Sequence, residues 1–258
     1  MRFLLSAAGL LAAAVLLLFF AQRALLFPAP RPARTPGTQL GELVRLGSTV
    51  ATWLPPARGS PVVVHFHGNG EQLADLAHLV QPLHALGLGV LAVEYPGYGL
   101  STGSPSEQSI LEAGEAALAL LRDRFRIPKE QTVLQGQSLG TGVAAQLALR
   151  GRGSRLVLVS PYTSIPELAA KTALLRPFRW LVRDRFDTRG IASRVTIPVL
   201  IVHGTDDEVI PFWMGQVLAT AFPKARFLKV DDAHHNDLWE ENQSEVVSAI
   251  ASFVAGTR

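Results

Sequence analysis

From about Leu40 onward, short apolar runs alternate with longer amphipathic ones. Strand-like runs rich in Val, Ile and Leu fall at Pro61–Phe66, Gly89–Glu94, Thr132–Gln135, Arg155–Ser160, Pro198–His203 and Ala225–Val230. Helical periodicity appears between them, at Glu71–Leu86 and most clearly at Pro105–Phe125. There Ile110, Gly114, Ala117, Leu118, Leu121 and Phe125 recur on one face. Ser104, with Pro105 next and Glu107 three residues on, predicts a capping box at the start of that helix. Strands that are apolar throughout are buried on both faces. Alternating with amphipathic helices, they predict an α/β fold with a mostly parallel sheet flanked by helices. In such sheets ligands sit at the carboxyl ends of the strands.

The amino-terminal pattern is different. Phe3–Ala21 is 19 residues without a charge. A helix of that length, at about 1.5 Å per residue, spans roughly the hydrocarbon core of a bilayer. Residues 1–22 are therefore expected to be a single-pass transmembrane anchor. The run is longer than the ~7–15 apolar residues of a signal peptide, and "AQRA" is a poor cleavage site. Arg2 precedes the run and Arg23, Arg31 and Arg34 follow it, a weak lean towards a cytoplasmic catalytic domain. "FPAPRPARTPG" then favours an extended spacer, so a Pro-rich linker is expected over residues 23–38. Residues 39–258 have the length of one α/β domain.

Composition narrows the partners. With 48% hydrophobic and 17% charged residues, the chain can bury a large core. The net charge is only +3 and the arginines are scattered, so nucleic acid is not an expected partner. With no cysteine, disulfides, a thiolate nucleophile and a cysteine zinc site are excluded.

The chemistry-bearing stretches all follow strands: "HGNG" (67–70), "YPGYGLS" (95–101), "GQSLG" (136–140), "GTDDEVIP" (204–211) and "DDAHHND" (231–237). Ser138 lies between Gly136 and Gly140, where a tight strand-to-helix turn would expose its hydroxyl. Alone, it could equally be a turn serine capping a helix. A serine nucleophile needs a base, and the base needs an acid to orient it. Asp206, Asp207 and Glu208, then His234 and His235, follow later strands in the order Ser, acid, His. A solvated acidic loop and exposed histidines are the plain alternatives. Order and strand-end placement together favour a triad. For an oxyanion hole, the N–H of Leu139 and that of Asn69 or Gly70 are the expected donors. His65 and His67 lack an acidic ligand at metal spacing, and "GQSLGTG" breaks G-x-G-x-x-G. No metal and no cofactor are expected.

At this point a family can be recognised. The stretches "QRALLFPAP", "VVVHFHGNG", "VEYPGYGLSTGSPSE", "LQGQSLGTGVAAQLA", "LVSPYTSIPELAA", "PVLIVHGTDDEVIPF" and "HHNDLWE" resemble small membrane-anchored α/β hydrolases. The similar groups are the bud-emergence-type enzymes and the alpha/beta hydrolase domain-containing 13 and 17 groups, within the serine aminopeptidase-like superfamily. The resemblance selects Asp207 as the acid, four residues after His203, and His235, which precedes Asn-Asp, as the base. Asp231–Asp232 stand where relatives often carry glycine, which bears on the conformation of that loop.

Such hydrolases carry a lid between two of the later strands, here about residues 163–195. It is short, with Leu174, Leu175, Phe178, Trp180, Leu181 and Val182 among arginines. A short lid suggests an open, shallow cleft; its apolar residues point to an acyl chain, its arginines to a carboxylate or headgroup, or simply to a solvated helix face. The expected activity is hydrolysis of carboxylic esters or thioesters of acyl chains, on a small molecule or a lipidated substrate. The resemblance to the type 17 group implies protein depalmitoylation as one branch. The alternatives are a serine aminopeptidase-type peptidase and a membrane-tethered binding module without turnover. Oligomeric state is not legible in the sequence.

Overall fold

The structure, a computed structural model, describes residues 2–173 and 175–256; the side chains of residues 2–12 and 14 lie outside the description. Eight strands form one sheet: β1 Glu42–Leu46, β2 Thr49–Leu54, β3 Val62–Phe66, β4 Gly89–Val93, β5 Thr132–Gln137, β6 Arg155–Val159, β7 Val199–Gly204 and β8 Ala225–Val230. Their spatial order is β1-β2-β4-β3-β5-β6-β7-β8. β2 pairs antiparallel with β1 and β4; every other pairing is parallel.

Side chains alternate across each strand, so the sheet feeds two cores. Val62, Val64 and Phe66 of β3 share one core with α3 (Glu107–Asp123) and α4 (Leu139–Leu149). Val63 faces the other, with α2 (Ala77–Ala85) and α8 (Gln243–Ala255). Burial on both faces is why the middle strands read as unbroken apolar runs. The hairpin β1–β2 escapes that reading. In β1 only Val44 is buried, and the strand lies at the sheet edge. Its turn is Gly47–Ser48, with Gly47 at φ 66.

Some helix boundaries shift. Glu71 does not open α2. Its carboxylate turns back to the N–H of Gly68, and a 3-10 turn at Leu73–Asp75 precedes the helix. The cap of α3 is Ser106 rather than Ser104. The Ser106 hydroxyl accepts from Ser109 N at 3.1 Å, while Glu107 turns to the N–H of Arg185 at 2.7 Å. α1 runs from Arg2 to Leu26, four residues beyond the expected end at 22. Gln, Arg, Ala and Leu are good helix formers, and Pro28 disfavours helical backbone at Phe27. Among the described residues no helix is long and apolar enough to cross a membrane. Much of Phe3–Ala21 falls on side chains outside the description.

The expected lid region holds α5 (Ile165–Ala169), a 3-10 turn at Arg176–Leu181 and α6 (Thr188–Ala192). Leu174 lies outside the described residues. Trp180 points outwards, 70% exposed, and not into the domain. α7 (Phe212–Ala221) follows the acidic loop after β7.

Candidate active site

Ser138 caps α4 with φ 49 and ψ −116, a backbone conformation that L residues seldom take. Such a conformation costs about 1–3 kcal/mol and persists only where the surroundings enforce it. Here Ser138 N donates to Val159 O at 2.9 Å, and the Thr141 hydroxyl donates to Ser138 O at 2.6 Å. The two flanking glycines are required by contact. A Cβ at Gly136 would run into the Gly140 carbonyl, and one at Gly140 into that of Phe66. The turn leaves the Ser138 side chain partly exposed above the ends of β3 and β5.

His235 Nε2 lies 3.1 Å from Ser138 Oγ, and its Nδ1 lies 2.7 Å from Asp207 Oδ2. The three side chains form one hydrogen-bonded row. Asp207 and His235 are only 7% and 8% exposed. The acidic loop chooses between its carboxylates. Asp207 Oδ1 accepts from the N–H groups of Val209 (3.0 Å) and Ile210 (2.7 Å), which turns the side chain inward. Asp206 is exposed, and Glu208 pairs with exposed His234 at 3.2 Å. Asp206 N donates to Ala233 O, and Asp232 N donates to the Thr205 hydroxyl, so the acidic and histidine loops are tied together. Asp232 takes φ 58, the left-handed conformation that favours glycine, yet the loop still delivers His235.

Burial alone would push the Asp207 carboxyl up. Hydrogen bonds from His203 and His235, the charge of His235 and the Ile210 N–H outweigh it, and hold the carboxyl well below the usual carboxylate range. An ionised Asp207 fixes the proton of His235 on Nδ1 and leaves Nε2 free to accept one from serine. His203 was only a landmark in the sequence. Here its Nε2 lies 3.3 Å from Asp207 Oδ2 and 3.0 Å from Ile210 O, so it buttresses the acid from behind.

The loop after β3 passes over the serine: a Cβ at Gly68 would stand 3.6 Å from the Ser138 Cβ. Gly68 N–H is given to Glu71 Oε2 at 2.6 Å. Asn69 and Gly70, next along, are exposed. Asn69 is held by both ends of its amide, donating to Leu26 O at 2.7 Å and accepting from Tyr98 OH at 2.8 Å. On the other side of the serine, Leu139 opens α4, and the first N–H groups of a helix have no partner within it.

Beneath this loop lies a buried group that sequence reading missed. His67 Nε2 is 3.0 Å from Glu94 Oε1, its Nδ1 is 2.8 Å from Gly68 O, and Tyr95 OH donates to His67 O. Burial opposes a charge on His67, but the Glu94 hydrogen bond and charge prevail and hold its pKa above the ordinary value. The available signal was Glu94 itself, a carboxylate ending an otherwise apolar strand. His65 is also buried, and desolvation pushes its pKa well down, which keeps it neutral. No cluster of three metal-ligating side chains occurs among the described residues.

The geometry separates the two histidines. His235→Ala removes the group touching Ser138, so activity should vanish. His234→Ala removes an exposed contact to Glu208 and should change the rate only modestly. The rate of each variant on a soluble ester checks this. If the two behaviours are exchanged, His234 is the base.

Comparison with known proteins gives the family. The family profile described as serine aminopeptidase, S33 matches residues 58–191, and one described as TAP-like protein matches 172–257. An uncharacterized Mycobacterium tuberculosis protein is 34% identical over 199 residues, covering 76% of this chain and 70% of that one. Human alpha/beta hydrolase domain-containing protein 17C is 31% identical over 213 residues, covering 82% of this chain. The chain spans only 62% of that relative's length. Among solved structures, a Pyrococcus furiosus esterase superposes with a TM-score of 0.72 at 18% identity, covering 88% of this chain and 96% of that one. A Paleococcus ferrophilus monoacylglycerol lipase gives 0.63 at 21% identity, covering 83% and 99%. At such identities these two show the shared α/β-hydrolase fold alone.

Proposed function

Since the chain belongs to the serine aminopeptidase S33 family of α/β hydrolases, we propose that it is a serine hydrolase of carboxylic esters or thioesters of acyl chains. The observation that carries this reading is the row Ser138–His235–Asp207, with hydrogen bonds of 3.1 and 2.7 Å. In it, His235 Nε2 takes the hydroxyl proton as Ser138 Oγ attacks the acyl carbon. The negative oxygen that forms is met by the N–H of Leu139 and that of Asn69 or Gly70. Gly68 N–H is already committed to Glu71 and is not a donor. His235 then gives its proton to the departing alcohol or thiol, the bond to the leaving group breaks, and water repeats the sequence on the acyl-serine. The helix dipole of α4 adds to the stabilisation at Leu139.

The family description favours a second reading, a peptidase. The two separate on substrate. A p-nitrophenyl acyl ester and an acyl thioester should both be turned over, and an aminoacyl p-nitroanilide should not. Preferred cleavage of the anilide would transfer the reading to peptide bonds. No turnover of any of the three would point to a binding module. We also read α1 as a membrane anchor. That reading rests on the uncharged Phe3–Ala21 run, which falls within the helix.

A further inference from the structure

A cavity of about 220 Å³ lies between the end of α1 and the lid. Leu18, Phe19 and Leu26 line it from the helix; Ile165, Phe178 and Val182 line it from the lid. Every lining residue except Gln22 and Arg179 is apolar. The polar ends of Gln22 are already used: its Nε2 donates to Phe19 O at 2.8 Å, and its Oε1 accepts from Arg183 N at 2.8 Å. Apart from the Arg179 guanidinium the lining offers a ligand no free polar group, so a hydrocarbon chain would gain by burial.

The helix is held in place by more than apolar contact. Arg23 makes a two-pronged ion pair with Asp184, at 2.7 and 3.1 Å, and Asp184 is almost fully buried. Asp184 Oδ1 also accepts from Glu107 N, which ties the pair to the start of α3. The cavity borders the candidate active site at Leu26. That residue lines it, and its carbonyl accepts from Asn69 in the loop that passes over Ser138. An acyl chain whose carbonyl sits at Ser138 would have to pass Asn69 and Leu26 to reach the cavity.

We propose that α1 forms one wall of the acyl-binding site, so that the hydrocarbon chain of the substrate lies between Leu18–Leu26 and the lid. This rests on the acyl-ester reading above. It gives the amino-terminal segment a role in substrate choice beyond tethering. The pocket selects a chain, whether a glycerolipid or an S-acylated protein carries it. Monoacylglycerol in vesicles and an S-palmitoyl peptide, supplied separately, distinguish the carriers.

The test uses the full chain in detergent micelles and reads the ratio of kcat/KM for p-nitrophenyl decanoate over acetate. Leu18→Trp fills the cavity from the helix, Ala169→Trp fills it from the lid, and Leu17→Trp is the control. Leu17 is on the same helix, 72% exposed and outside the cavity. Both filling variants should lower the ratio by roughly fifteen-fold, the loss of about two buried methylenes at about four-fold each. Leu17→Trp should keep it. Thermal melts verify that each variant folds, and Leu18→Asn is a smaller second probe of the wall. A ratio unchanged in Leu18→Trp and Leu18→Asn, whatever Ala169→Trp does, overturns the proposal. If the wild-type protein cleaves neither ester, the hydrolase reading fails, and binding of a dansyl-labelled undecanoic acid decides the cavity. Weaker binding in Leu18→Trp than in Leu17→Trp supports the proposal, and equal binding overturns it.

Discussion

Ser138→Ala should reduce p-nitrophenyl ester turnover by about 10³–10⁶-fold, the range seen when a triad nucleophile is removed. The rest of the site should survive. The backbone bonds Ser138 N to Val159 O and the Thr141 hydroxyl to Ser138 O involve main-chain atoms that alanine keeps. Alanine also pays no greater strain than serine at φ 49, since both carry a Cβ. The melting temperature should therefore stay close to wild type while activity disappears. A variant that unfolds instead would mean the hydroxyl holds the turn together, and a variant with wild-type rate would remove Ser138 from the chemistry.

The second large effect belongs to Asp207→Asn, with an expected loss of about 10⁴-fold in kcat. An asparagine can keep its carbonyl on the N–H groups of Val209 and Ile210. Its amide then faces His235 Nδ1 as a donor. The imidazole must answer with the other tautomer, which puts its proton on Nε2, facing Ser138. A proton there cannot be accepted from the serine. Asp206→Asn should change kcat little, because that side chain is exposed and its recorded partner is Thr205. A larger loss from Asp206→Asn would reverse the assignment. The pH dependence follows from the sign of the shift. The folded Asp207 carboxyl is depressed, so the stability it contributes is complete above the ordinary value of ~3.9. That contribution is lost only as pH falls below it, through the folded value.

Much of this architecture was legible because burial writes itself into sequence. β3, β5, β6 and β7 are covered on both faces, so they read as apolar runs, and the motifs after them had to share one edge of the sheet. The edge strand β1 left no such trace, since a strand with one buried side chain looks like a loop. The carboxylates 206, 207 and 208 could not be separated by residue type. Resemblance pointed to Asp207; what turns it inward is a pair of backbone N–H groups, and these depend on the conformation of the loop. His203 was invisible because it meets Asp207, four residues on, only where the loop after β7 turns back over it. His67 and Glu94 follow different strands, β3 and β4, and only the pairing of those strands brings them together. The end of α1 was read as tether and spacer. Gln22 and Arg23 closing an apolar helix were the available sign that it docks on the domain.

The central claim is that Ser138 is a nucleophile activated by His235. The most direct measurement is intact-mass and peptide mapping after reaction with a fluorophosphonate, whose phosphorus is attacked by an activated serine. One label per chain on Ser138 in the wild-type protein, and none on that residue in His235→Ala, is the result expected. Labelling at another residue, or undiminished labelling of Ser138 without His235, would contradict it.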